Sequence, residues 1–250
     1  MARSARLGAV LLLLLLAGAP ACARGGREVD HGLYGALLAR HVQNGLVDYG
    51  GFKREEEALD RYLDLLSRVD PEGLSRAEQF AFYINAYNAW TIKLVLGRWP
   101  RVSSIKELGT WFRSPWQIPL ARIAGGLLTL DEIEHGILRP RFADPRVHFA
   151  VNCASRGCPP LLAEPYRGAT LEEQLARATA DFLNDPARYR LEEPDFWVSS
   201  LFKWFAEDFP QGVPAFYLRY ARGELRERLA AAGDRLRLRY LNWDWSLNAR

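Results

Sequence analysis

The densest set of reactive side chains is one stretch, His148-Phe149-Ala150-Val151-Asn152-Cys153-Ala154-Ser155-Arg156-Gly157-Cys158-Pro159. Three chemistries suit it. A disulfide between Cys153 and Cys158 closes a small loop, which an oxidising compartment favours. A thiolate at Cys153, served by a histidine base, is a nucleophile for acyl or amide carbonyls. Cys153, Cys158, His135 and His148 together make four ligands, enough to fill a tetrahedral zinc site of the structural kind. Cysteines separated by four residues specify metal only weakly.

A thiolate needs its base within hydrogen-bond reach. Val147 to Val151 has the apolar character of a short strand, and on a strand His148, Ala150 and Asn152 share one face. Cys153 then points to the other face, so the chain must turn at Asn152 for His148 and Cys153 to meet. His135 is the second candidate base. On a helix that begins near Asp131, the Asp131 carboxylate lies four residues before His135 and stands beside its ring. For each histidine the plainer role is a buried structural one. Asn85 and Asn88 lie three apart on an apolar helix, on about one face. A buried amide without partners costs about 1–3 kcal/mol, so they brace a neighbouring loop or act on a ligand, as orienters of the base or donors to an oxyanion.

These side chains need elements to hold them. His31 to Val42 and Glu55 to Leu66 have helical apolar spacing. Ser75 and Glu78 form a capping box, in which each side chain satisfies a free backbone donor. The helix they open runs to about Leu96, where Gly97 and Pro100 end it. It is apolar around most of its circumference, which predicts a buried central helix. Gly125-Gly126 predicts a hairpin between Trp116 and Leu130. Thr129 or Asp131 caps a helix through Ile137. Thr170 and Glu173 form a second box, opening a helix to Leu183. Arg188 to Leu191, Trp197-Val198 and Leu236 to Leu241 are short strands, and Leu201 to Phe209, Val213 to Tyr220 and Glu224 to Ala231 are helical. The expected architecture is a single α+β domain over 31–250, mostly helical with a small antiparallel or mixed sheet.

Five motifs run through it: Phe82-Tyr83-Ile84-Asn85-Ala86-Tyr87-Asn88-Ala89, Leu130-Asp131-Glu132-Ile133-Glu134-His135, the cysteine stretch, Phe202-Lys203-Trp204-Phe205, and Asp244-Trp245-Ser246-Leu247-Asn248. In that order they resemble domain of unknown function family five-hundred-and-forty-seven, found in bacteria and plants. The resemblance spans about Phe80 to Asn248 and implies little about activity.

The eight tryptophans suit a groove in which sugar rings stack, or equally core packing. Asp244 and Glu207-Asp208 imply no carboxylate pair by their spacing, and solvated or capping roles suit them. Lys+Arg and Asp+Glu number 33 and 30, too even for a concentrated basic face, so nucleic acid is not an expected partner. With 49% hydrophobic against 25% charged residues, the chain is not a disordered one.

Arg3 and Arg6 before the apolar run Leu11 to Leu16, followed by small residues, have the build of a secretory signal peptide. Ala19-Pro20-Ala21-Cys22 looks like a bacterial lipobox, with Ala19 where a larger aliphatic residue is usual. Cleavage there makes Cys22 the lipidated first residue, with ordinary signal-peptidase cleavage after Ala21 or Ala23 as the alternative, and 23–30 a tether. Lipidation accounts for the odd one of three cysteines, and either cleavage expects an exported protein, periplasmic or anchored to the envelope membrane. Two functions compete. One is a thiol enzyme in which Cys153 attacks an acyl or amide carbonyl, His148 or His135 moves the proton, and Asn85 or Asn88 assists. Such a site is similar to papain-like or transglutaminase-like ones, with both histidines preceding the cysteine against their usual order. The other is a non-enzymatic envelope module with a Cys153–Cys158 disulfide and an aromatic groove for a peptide or glycan. Neither needs a cofactor.

Overall fold

Apolar side chains on every face of the segment after Ser75 leave a helix there with no solvent side, so it must lie at the centre. In the computed structural model, which describes residues 27–250, three helices precede it: α1 (Gly32–His41), α2 (Tyr49–Arg54) and α3 (Glu56–Arg68). The central helix, α4, is Arg76–Leu96, and Phe82, Ile84, Ala86, Tyr87 and Ala89 on it are buried. The proposed signal peptide, lipobox and Cys22 lie outside the described residues.

Only half of the first capping box forms. The Ser75 hydroxyl accepts the Glu78 N–H at 3.2 Å. The Glu78 carboxylate turns outward from its helix and accepts the N–H of Val29 at 3.0 Å and of Gly168 at 2.7 Å. Two remote backbone donors without partners outcompete the local one. The chain is therefore fixed from Val29, and the expected tether is corrected at its end: Val29 is buried and residues 27–30 belong to the fold.

The architecture is a single α+β domain, mostly helical with small sheets. Strands β1 (Val42–Gln43) and β2 (Leu46–Val47) form a hairpin whose turn residues Asn44 and Gly45 both have positive φ. Asn-Gly is the strongest short signal for such a turn. A Cβ on Gly45 would lie 2.4 Å from Pro160, so glycine lets the hairpin lie against the cysteine loop. Strands β3 (Ala121–Ile123) and β4 (Gly126–Leu128) form the second hairpin, turning at Ala124-Gly125, one residue earlier than expected. Thr129 then caps the next helix, exchanging hydrogen bonds with Glu132 at 2.7 and 3.0 Å. That helix, Glu132–Leu138, is of the wide π form and continues into α5 (Arg139–Phe142).

Val147 to Val151 is not a strand. Pro145–Phe149 is a turn of 3-10 helix, because Asp144 accepts the Arg146 N–H at 2.9 Å and Pro145 presets the first turn. Helix α6 (Leu171–Asn184) follows, but the expected Thr170–Glu173 box is not what caps it. The Gln174 amide instead ties its start to Arg167 and Pro165, each at 2.9 Å. Strand β5 (Tyr189–Glu192) pairs antiparallel with β6 (Asp195–Val198). After α7 (Leu201–Trp204), α8 (Val213–Tyr220) and α9 (Gly223–Ala232), strand β7 (Arg237–Tyr240) pairs parallel with β6, so the sheet is mixed. No helix among the described residues is long and apolar enough to cross a membrane.

A second core mixes aromatic side chains with leucines and valines and is centred on phenylalanines. Phe149 packs at 5.4 Å from Phe182, 5.7 Å from Phe216 and 6.0 Å from Phe202, ring centre to ring centre. It anchors the 3-10 turn that carries His148. The other anchors are the two asparagines of α4. Asn85 donates to Tyr166 O at 2.7 Å and accepts the Tyr166 N–H at 2.9 Å. Asn88 donates to Ala150 O at 2.9 Å and accepts the Asn152 N–H at 2.8 Å. Each amide acts as one rung of a ladder for a segment that joins no sheet. Asn88→Ala strands two buried backbone groups. The expected loss is about 2–4 kcal/mol, read as a lower urea midpoint with unchanged slope, whereas an exposed change such as Glu57→Ala leaves the midpoint in place.

Candidate functional site

The cysteine loop is built on Asn152. Its Oδ1 accepts the Ala154 N–H at 2.9 Å, which holds Ala154 at φ +60, and its Nδ2 donates to Pro159 O at 2.8 Å. A non-glycine residue in that region is strained by roughly 1 kcal/mol or more, and the side-chain bond maintains it. The carboxy-terminal segment closes the other edge. Arg156 N–H donates to Ser246 O and Gly157 N–H to Asp244 O, both at 2.8 Å. A Cβ on Gly157 would lie within 2.6 Å of the Trp243 ring, so only glycine admits that ring against the loop.

Cys153 and Cys158 are joined as a disulfide, with Cα atoms 6.0 Å apart. Both sulfurs are committed, so in this oxidised form Cys153 has no thiolate to attack a carbonyl. The four-ligand zinc arrangement fails for the same reason, and among the described residues no cluster of three metal-ligating side chains occurs.

The disulfide lies on the wall of a cleft of about 200 Å³. Trp116, Trp204, Trp243, Trp245 and Phe205 form an aromatic part of the remaining wall. The tryptophans pack in contact, Trp204 at 4.8 Å from Trp243 and 5.7 Å from Trp245. Lys106 caps the Trp245 ring at 3.9 Å. Polar groups enter from one side: Asp131, Glu134, His135 and His148. Three of them come from the start of the π-helix and its first residues. Such widened turns recur at functional sites.

His148 is buried, but its partner is not a cysteine. Nε2 lies 2.6 Å from Asp208 Oδ2, and its ring stacks on Phe205 at 4.0 Å. An ionised carboxylate only accepts, which assigns the proton to Nε2. Nδ1 has no hydrogen-bond partner and lies 4.0 Å from Glu134 Oε1. Asp208 also receives Arg139 Nε at 2.7 Å. The His148 contact first and the Arg139 contacts second hold the Asp208 carboxyl well below the usual carboxylate range. Burial pushes the Tyr87 hydroxyl upward, and the Glu134 carboxylate adds to that.

His135 pairs with Arg139 Nη1 at 3.1 Å through Nδ1, and not with Asp131 as expected. The guanidinium, already anchored by Asp208 and Glu207, sits one turn beyond it and takes the ring. Asn85 and Asn88 do not line the cleft. They are spent on backbone, which corrects their reading as orienters or oxyanion donors. Of the five residues expected to share a catalytic site, His135, His148 and Cys153 meet in one cleft and the two asparagines stand behind it. The sequence marks Asp208 only as a solvated or capping carboxylate, Phe205 only as part of a motif, and Arg139 in no role. Asp208 is 60 residues from His148, so no spacing could reveal the pair.

Residues 71–183 match the family described as "Protein of unknown function, DUF547". Over this stretch the chain is similar to the DUF547 family. No curated protein and no solved structure gives a match. The DUF547 stretch holds α4, the π-helix, His148 and the disulfide. The wall carrying Trp204, Phe205, Trp243 and Trp245, and the Asp208 carboxylate, come from beyond the DUF547 match, as do the motifs at Phe202 and Asp244.

Because the folded state depresses the Asp208 carboxyl, its contribution to stability is complete above the ordinary carboxylate range, about pH 4, and is lost as pH falls through the lowered value. Asp208→Asn therefore lowers stability at neutral pH, and the gap from wild type narrows as the solution is acidified below about pH 4. Urea midpoints across pH for the two proteins measure this. A gap that is constant with pH would mean the carboxylate is not held by charge.

Proposed function

We propose that this protein is an exported binding module that takes an apolar peptide segment in its tryptophan cleft, at the surface of the envelope membrane. The observation that carries this reading is the cleft itself, with four tryptophans on its wall beside an oxidised cysteine pair. Indole rings give a large contact area with few torsions to freeze, which is why they dominate recognition surfaces. The volume is about 200 Å³, below the roughly 300–1,000 Å³ of sites for drug-sized molecules. That suits one or two apolar side chains of a longer segment. A sugar ring carries several hydroxyls that each need a partner when desolvated, and the aromatic wall offers few. Glu134 and Asp131 give the polar side a place for peptide N–H groups or a cationic side chain.

The Cys–His enzyme has less in its favour. It needs the disulfide opened and a histidine released, while Asp208 and Arg139 hold the two candidates. Arg3, Arg6, the run Leu11 to Leu16 and Cys22 support export and a lipid anchor. The cleft then works close to a membrane surface.

Titration of intrinsic fluorescence with blocked aromatic tripeptides tests the reading. Saturable quenching is expected. Trp204 is 46% exposed, so Trp204→Ala leaves the fold in place, and it is expected to weaken binding about tenfold. Quenching by short glycans with none by peptides would overturn the proposal.

A further inference from the structure

We propose that the Cys153–Cys158 disulfide is redox-active and accepts electrons from a cysteine-bearing segment held in the cleft. This deepens the peptide-binding reading and rests on it for the class of substrate. Three observations carry it: where the sulfurs lie, what donates to one of them, and how little the loop needs the bond.

Both cysteines line the same cleft as the tryptophans, Cys153 partly exposed and Cys158 buried. The two sulfurs are unequally served. Cys158 Sγ accepts the Cys153 N–H at 3.1 Å and faces the Ser155 hydroxyl at 3.2 Å. A disulfide sulfur has no proton, so Ser155 is the donor. Ser155 Oγ in turn accepts the Trp243 Nε1–H at 2.9 Å, which leaves its own proton free to point at sulfur. Cys153 Sγ has only that same hydroxyl, at 3.4 Å. The Arg188 guanidinium, bonded to Gly157 O at 2.8 Å and Cys158 O at 3.3 Å, adds positive charge to the segment. Donors and nearby positive charge favour a thiolate. Cys158 is therefore the better leaving group and Cys153 the reachable electrophile.

The chemistry follows from that asymmetry. A substrate thiolate attacks Cys153 Sγ, forming a mixed disulfide, and the bond to Cys158 breaks. The electron pair goes to Cys158 as a thiolate, held by the Cys153 N–H and the Ser155 hydroxyl. A second substrate thiolate then attacks the substrate sulfur of the mixed disulfide and releases Cys153. Two thiols of the substrate become one disulfide. Two electrons reduce the protein pair to two thiolates, which take up from solvent the protons that the substrate thiols gave to it. Trp243 both walls the cleft and donates to Ser155, so an occupant of the cleft touches the ring that polarises the leaving sulfur.

The loop does not depend on the bond for its shape. Asn88 and Asn152 fix one edge, and the backbone bonds to Asp244 and Ser246 fix the other. The reduced pair can remain in the folded protein.

The full chain is equilibrated without oxygen in buffers of reduced and oxidised glutathione. It is then quenched in acid, alkylated and weighed intact. The expected result is reversible conversion to a dithiol form that remains folded by far-ultraviolet circular dichroism. Ser155→Ala is expected to shift that equilibrium toward the disulfide by about tenfold, since a hydrogen bond to a charged group is lost. An aromatic tripeptide bearing cysteine is expected to reduce the protein faster than glutathione at equal concentration. A pair that stays oxidised in excess reduced glutathione until the protein unfolds would overturn the proposal, and that outcome needs no variant to fold. An unshifted equilibrium in a folded Ser155→Ala protein would overturn it too. The same tripeptide with serine for cysteine reads binding alone. If it fails to quench fluorescence while glutathione exchange persists, the peptide reading falls and the redox one stands.

Discussion

A buried backbone N–H or carbonyl must have a partner, and in this protein two segments beside the central helix have no sheet to join. Asn85 and Asn88 supply the missing rungs. Each places a donor and an acceptor in the geometry of a peptide group and so extends a ladder from the side of a helix. From Asn88 the chain of amides continues through Asn152 to Asn248 and on to the Tyr49 hydroxyl. That line ties the start of the domain, its centre, the cysteine loop and the carboxy-terminal segment to one another. The disulfide, the tryptophan wall and His148 keep their places because of it.

The cleft is assembled from two parts of the chain. The DUF547 stretch brings the π-helix, His148 and the two sulfurs, all braced on α4. The later part brings the indoles, Phe205 and Asp208. Asp208 joins them electrostatically, since one carboxylate accepts both His148 and Arg139. Phe205 joins them by packing, with the His148 ring on it at 4.0 Å and the Arg139 guanidinium at 5.2 Å. Removing the Asp208 carboxylate costs stability because it leaves its partners without a counter-charge. The pairing also sets orientation: it commits Nε2 to Asp208 and leaves Nδ1 as the unpaired atom beside Glu134.

Helices were legible where an apolar face or a cap announced them. α3 and α4 lie close to where Leu59, Tyr62, Leu63 and the Ser75 cap put them, and Thr129 caps as one of two expected residues. The errors share a cause. Glu78 looks like a local capping partner but serves distant backbone, Glu173 looks like one while Gln174 ties down the helix start, and Val147 to Val151 looks like a strand until Asp144-Pro145 starts a helical turn. A local pattern cannot show that a long-range donor will claim a side chain. The same holds at the site. The cysteines, both histidines and the asparagines were visible as residue types, and their braced or bonded states were not. Asp208 appeared solvated because nothing local marks it as the partner of a histidine in another motif.

The weight of the disulfide can be judged by what it replaces. It closes a loop with a sequence separation of 5, and a loop so short gains about 2 kcal/mol from closure, at the low end for such bonds. The neighbouring amide and backbone bonds already restrict that loop, so the unfolded chain is where most of the gain arises. For stability alone, a buried apolar pair at these positions would suffice. What an apolar pair cannot reproduce is the pair of donors turned toward one sulfur, a main-chain N–H and a serine hydroxyl, the hydroxyl itself oriented by the Trp243 indole N–H. Those donors satisfy little while the sulfur is neutral, because a disulfide is a weak acceptor. They match a negative sulfur far better. A structure that stations two donors at a poor acceptor, one of them oriented by an indole, on the wall of its tryptophan cleft, is organised for the charged state of Cys158 as much as for the bonded one.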